Sequence, residues 1–87
     1  MSFTRITNVS GVSVIEDVDI NINFSYSSEA PELVNFSFTT PDGVSVSGSC
    51  DKDQITYYYV NNGIVTDEFI TLVKIECQRV LTNYETV

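Results

Sequence analysis

The most regular pattern in the chain is "VDININFSY", in which Val18, Ile20, Ile22, Phe24 and Tyr26 alternate with Asp19, Asn21, Asn23 and Ser25. Period two over nine residues predicts a strand with one face buried and one wet. "LVNFSFTT" repeats it, with Val34, Phe36 and Phe38 on one side and Asn35 and Ser37 on the other, and "SSEAPEL" holds the break between the two.

"TTPDGVSVSGSC" supplies a turn. Pro41 presets φ at the second position of a type I turn, and Gly43 suits the left-handed position of the bulge that follows Asp42. A three-residue loop pairs Thr40 with Val44, and counting inward sets Phe38 opposite Val46, Phe36 opposite Gly48 and Val34 opposite Cys50. Turn chemistry and apolar pattern therefore predict the same register.

In "QITYYYV" the alternation fails, because Ile55, Tyr57 and Tyr59 share one face while Tyr58 and Val60 share the other. A four-residue loop through Gln54 sets Gly48 opposite Tyr57, where a large ring covers the gap beside a glycine; a three-residue loop sets Val46 opposite Tyr58. The first is preferred, with Tyr57 and Tyr59 beneath a helix. Tyr58 then lies on the opposite face, where it meets the N-terminal strand or a partner.

Asn62-Gly63 is a preferred type I′ pair, so Ile64 and Val65 are expected to turn back briefly against Val60. Thr66 or Asp67 then offers an N-cap, and Asp67 and Glu68 sit well at the positive end of a helix dipole. Phe69, Ile70, Val73, Cys77, Val80, Leu81 and Tyr84 fall within about 120° of arc at helical period, a stripe that should pack on the sheet. Leu72 and Ile75 lie off that stripe near Arg79, and read either as incidental exposure or as a subunit or partner contact.

The start of the chain is less regular. Phe3, Ile6 and Val9 suggest an edge strand, Gly11 a turn or bulge, and Val12 to Ile15 another extended piece. Glu16-Asp17 marks a bend, a bulge or the wet face of a longer strand.

Composition supports a mostly β reading. The 87 residues hold 12 Val and 8 Ile against 3 Leu and one Ala, and β-branched side chains favour strands. That length suits one domain with a modest core, so a second subunit would add useful buried area.

Charge narrows the function classes. A net charge of −8, with only Arg5, Lys52, Lys74 and Arg79 basic, disfavours direct nucleic-acid binding and anionic membranes. With neither a signal-peptide pattern nor a membrane-length apolar run, the expected compartment is the cytoplasm, where Cys50 and Cys77 stay reduced; export would instead permit a Cys50–Cys77 bridge.

The residue inventory excludes most chemistry. There is no histidine, so Ser-His-Asp and Cys-His arrangements are ruled out, and no phosphate-binding glycine motif occurs. Asp51-Lys52-Asp53 resembles the opening of a calcium loop but lacks the third acid, the glycine at position six and the closing glutamate. Glu16, Asp17 and Asp19 have no implied cleft in which to act as acid and base. No catalytic residue, metal ligand or cofactor site is expected.

The resulting expectation is a single α+β domain over residues 1–87: an edge segment at 1–15, an antiparallel meander over 18–60 and a helix over 67–84 packed on one face. Its function is expected to be non-catalytic protein–protein interaction as a homodimer, through Tyr58, Val60, Leu72, Ile75 and Arg79. The alternative is an acidic inhibitor, of the kind phages and mobile elements encode, that occupies a cationic nucleic-acid site on a host protein.

Overall fold

The computed structural model describes residues 3–61 and 63–87. Five strands, β1 (Thr7–Ile15), β2 (Val18–Tyr26), β3 (Leu33–Thr39), β4 (Ser45–Asp51) and β5 (Ile55–Tyr59), form one antiparallel sheet in chain order, and helix α1 (Asp67–Thr82) packs on one face. The fold is α+β, a meander with its helix last.

The β3–β4 hairpin has the register that its turn predicts. Val34 lies opposite Cys50, Phe36 opposite Gly48 and Phe38 opposite Val46. Gly43, at φ 87°, donates its N–H to the Thr40 carbonyl, and the Thr40 N–H is donated to the Val44 carbonyl, both at 2.9 Å. The longer of the two loops considered for β4–β5 is the one present, with Gly48 opposite Tyr57. Glycine is required there: a Cβ would lie 2.1 Å from the Thr56 carbonyl oxygen and 2.7 Å from the Tyr57 Cα.

The core is the row-by-row sum of these alternations. Val18, Ile20, Ile22 and Phe24 from β2, Val34, Phe36 and Phe38 from β3, and Val46 and Cys50 from β4 meet Phe69, Ile70, Val73, Cys77 and Val80 of the helix. Burying each of the larger aliphatic and aromatic side chains contributes about 1.5–3 kcal/mol, which is why pattern dominates here over the low helix propensity of a Val/Ile-rich helix. Thr66 is the N-cap, its Oγ1 accepting the Phe69 N–H at 3.2 Å. The helix closes at Asn83, whose backbone and side-chain N–H groups are both donated to the Arg79 carbonyl, so Tyr84 lies just beyond it; its ring still packs edge-on against Tyr26 at 4.8 Å.

The N-terminal segment departs from expectation in two ways. Residues 7–15 form one unbroken strand in which Gly11 pairs with Ile22, with neither turn nor bulge. Phe3 and Ile6 precede this strand and are exposed. Of the readings open for Glu16-Asp17, the bend is the one present: the two residues are the loop of a tight hairpin, at φ 48° and 66°. A type I′ turn needs positive φ at both central positions, usually supplied by Asn and Gly, so side-chain identity concealed the turn.

Near the helix start, Ile64 and Val65 form no strand, and Ile64 is 87% exposed. The Asn62-Gly63 turn lies partly outside the described residues, since Asn62 is not among them.

Candidate interaction surface

Antiparallel pairing carries side chains straight across a sheet, and here it sorts them sharply. Gly11, Ile22, Phe36, Gly48 and Tyr57 form one cross-sheet row on the helix side. The opposite face is uncovered. Its central rows run Ser10–Asn23–Asn35–Ser49–Thr56 and Val12–Asn21–Ser37–Ser47–Tyr58, a floor of hydroxyls and amides with an aliphatic residue at one edge and a tyrosine at the other.

This face is also nearly free of charge. Of the 16 charged residues in the chain, the five strands hold two, Asp19 and Asp51. Asp51 turns its carboxylate onto its own loop, accepting the N–H groups of Asp53 at 2.7 Å and Gln54 at 2.8 Å, and these bonds hold its pKa below the ordinary value. A solvated turn accounts for all of Asp51-Lys52-Asp53.

The residues singled out in the sequence divide between opposite sides of the molecule. Tyr58, 63% exposed, and Val60 point away from the helix at the β5 edge. Leu72, Ile75 and Arg79 lie on the solvent side of the helix, with Ile75 57% exposed directly opposite the buried stripe. The whole sheet separates the two groups, so they form no common site. Tyr58 also does not meet the N-terminal strand, because β1 joins the far edge beside β2 rather than covering the outer face. Tyr57 packs against the core from the helix side, whereas Tyr59 sits at its margin and accepts the Val65 N–H on its hydroxyl at 3.1 Å.

Arg79 has a local role. It donates from Nε (3.1 Å) and from Nη2 to Glu76 Oε1, which also accepts the Ser13 hydroxyl at 2.9 Å. That chain ties the helix flank to β1, and the Arg79 bonds, with Ser13 assisting, hold the Glu76 carboxyl below its ordinary pKa. Beyond it, small inward residues of β1 leave a cleft of about 510 Å³ between Val9, Gly11 and Ser13 on the strand and Arg79, Val80 and Asn83 on the helix.

Cys50 and Cys77 are free, buried thiols in the core. Burial pushes the Cys77 pKa up to about 12 and raises that of Cys50, so both are poor nucleophiles and poor ligands at neutral pH. Among the described residues no group of three Cys, Asp or Glu side chains is placed to hold a metal ion, and no helix is long and apolar enough to cross a membrane.

Three features escaped the sequence reading: the outward-facing Val12 and Val14, the exposed Leu33, and the Ser13–Glu76–Arg79 chain. "NVSGVSV" has apolar residues of both parities, so periodicity could not choose a face for it. The signal that does choose is the Glu16-Asp17 turn, which sets β1 in register with the unambiguous β2. Compared with known proteins, the chain matches no family model, no curated protein and no solved structure.

Proposed function

We propose that this chain is a small non-catalytic protein–protein interaction module that works as a homodimer through its sheet. The observation that supports the reading is the segregation of charge. A chain of net charge −8 keeps its strands almost neutral and leaves Val12, Val14, Leu33 and Tyr58 exposed on them. Interface centres are depleted in charge and rich in tyrosine, and surfaces designed only for solubility are not. Contact through the sheet also adds buried area to a domain that is short of it.

Light scattering after gel filtration at micromolar protein tests this reading. A mass of twice 9.7 kDa that is unaffected by moderate salt is expected, and a monomer overturns the reading. Replacing Leu72 and Ile75 together with Glu should leave that mass unchanged; dissociation would move the contact to the helix.

One arrangement favours the second reading, the acidic inhibitor. Chain order brings the Glu16-Asp17 turn, the Asp42 turn and the Asp67-Glu68 helix start to the same end of the sheet, away from Arg5, Lys52 and Arg79. A concentration of negative charge of this kind suits a cationic groove. Salt-sensitive capture of a nucleic-acid-binding protein from lysate, by a chain that is itself monomeric, is the outcome this reading requires.

A further inference from the structure

The free edge of β1 has properties that an isolated domain normally avoids. Its nine residues, "TNVSGVSVI", include no charge and no proline, and all nine pair with β2 in continuous register without a bulge. Lysine, proline, bulges and short length are the common devices that stop strand edges from pairing with other chains. None is used here.

The hairpin determines which backbone groups face outward. A two-residue loop is flanked by a hydrogen-bonded pair, here Ile15 and Val18, and such pairs alternate along an antiparallel ladder. Thr7, Val9, Gly11, Ser13 and Ile15 therefore direct their N–H and C=O groups to β2. Asn8, Ser10, Val12 and Val14 direct theirs to the open edge.

We propose that two copies of the chain pair through β1, antiparallel about a two-fold axis at Gly11, to form one continuous ten-stranded sheet. The inference rests on the homodimer reading above and names its contact. In this register Ser10 pairs with Val12 of the second copy and Asn8 with its Val14, so each outward-facing group meets another and about eight backbone hydrogen bonds form. Gly11 meets Gly11 at a close, non-hydrogen-bonded position, where the absence of side chains lets the strands approach.

Charge at the ends selects the second copy as the occupant. The same register brings Arg5, two residues before β1, toward the Glu16-Asp17 turn that ends β1 of the second copy, and does so twice by symmetry. Arg5 has no ion-pair partner among the described residues of its own chain. Parallel pairing would instead set two Glu16-Asp17 turns side by side.

Cysteine cross-linking tests the register directly. Gly11→Cys should fold, since nothing lies within 4 Å of the added Cβ, and mild oxidation should convert it to a covalent dimer. Ser10→Cys should not cross-link, because its counterpart is Val12. Cys50 and Cys77 are buried and do not compete.

Val12→Pro, which removes an outward N–H and no bond to β2, should give a monomer with unchanged circular dichroism. Arg5→Asp should weaken association about threefold to tenfold, and Arg5→Asp with Asp17→Arg should restore it. A dimer that survives Val12→Pro and does not cross-link through Gly11→Cys overturns this contact while the homodimer reading stands. A wild-type monomer overturns both. If Val12→Pro fails to fold, the cross-linking pair still decides.

Discussion

The two edges of the sheet differ in length and in how the end of the strand is fastened. β5 has five residues, and the chain that follows it folds over its end. The Val60 N–H is donated to the Ser45 carbonyl, Asn61 bonds both Ser45 and Gly43 through its side chain, and Tyr59 holds Val65 on its hydroxyl. β1 has nine residues, no charge and, among the described residues, no segment across its outer side. The contrast is one of length and connectivity. β5 leads into the helix that must return over the core, and the connection fastens the end of that short strand to β4, while β1 runs on as a longer edge without such a fastening. A long, uncharged edge is a place where a second chain can add a strand.

The largest effect should come from releasing β5. Gly48→Val drives a branched side chain into Thr56 and Tyr57 backbone, and should destabilise by about 3 kcal/mol or more in urea unfolding. Amide exchange should then show β5 released while the β1–β2 ladder persists.

A second change strengthens the open side. Glu16→Asn with Asp17→Gly supplies the residues that positive φ favours at both positions, and should stabilise the folded chain by roughly 1–2 kcal/mol. The same pair removes the acids that Arg5 of the second copy approaches. The unfolding midpoint should therefore rise while dimer affinity falls, and a simultaneous rise in both would contradict the proposed register.

Tyr59→Phe loosens the β5 end more gently. It removes the hydroxyl that accepts the Val65 N–H, at a cost of about 1 kcal/mol, and should speed exchange at the Val65 amide.

The smallest effect is expected at the tie between helix and β1. The folded-state pKa of Glu76 lies below its ordinary value of 4.5, chiefly through Arg79 and then through Ser13. Its contribution is thus fully present above about pH 4.5 and is lost as pH falls through the lowered folded value. Ser13→Ala should lower stability by a few tenths of a kcal/mol at neutral pH, and the difference should shrink on acidification, as urea titrations at pH 7 and pH 3 would show.

Most of the β-sheet was legible because two independent signals agreed. The Pro41-Asp42-Gly43 turn and the alternation of Val34, Phe36 and Phe38 with polar residues each imply the same pairing, while the Gly48–Tyr57 pairing was the preferred of two that the β4–β5 loop allowed. The helix was legible from its stripe, and of the two caps the sequence offered, Thr66 and Asp67, the structure uses Thr66. The interaction surface was less so. Tyr58, Val60, Leu72 and Ile75 are exposed, as their positions off the buried faces imply, yet nothing in a linear chain says that two of them lie across the sheet from the other two. Gly11 looked like a break because glycine usually is one, and Glu16-Asp17 did not look like a type I′ turn because neither residue favours positive φ.

By itself, then, the sequence determined the elements from β2 onward, their order, the buried face of β2, β3 and the helix, and the register wherever a turn with the right residues joined two alternating strands. Local sterics and period settle these, and both are written along the chain. The tertiary structure alone decided where "TNVSGVSVI" belongs, which of its residues look inward, and that its edge is left open. Those properties depend on which strand lies beside β1 and on the absence of one on its other side, and such spatial neighbours are set by the packing of the whole domain rather than by any local run of residues.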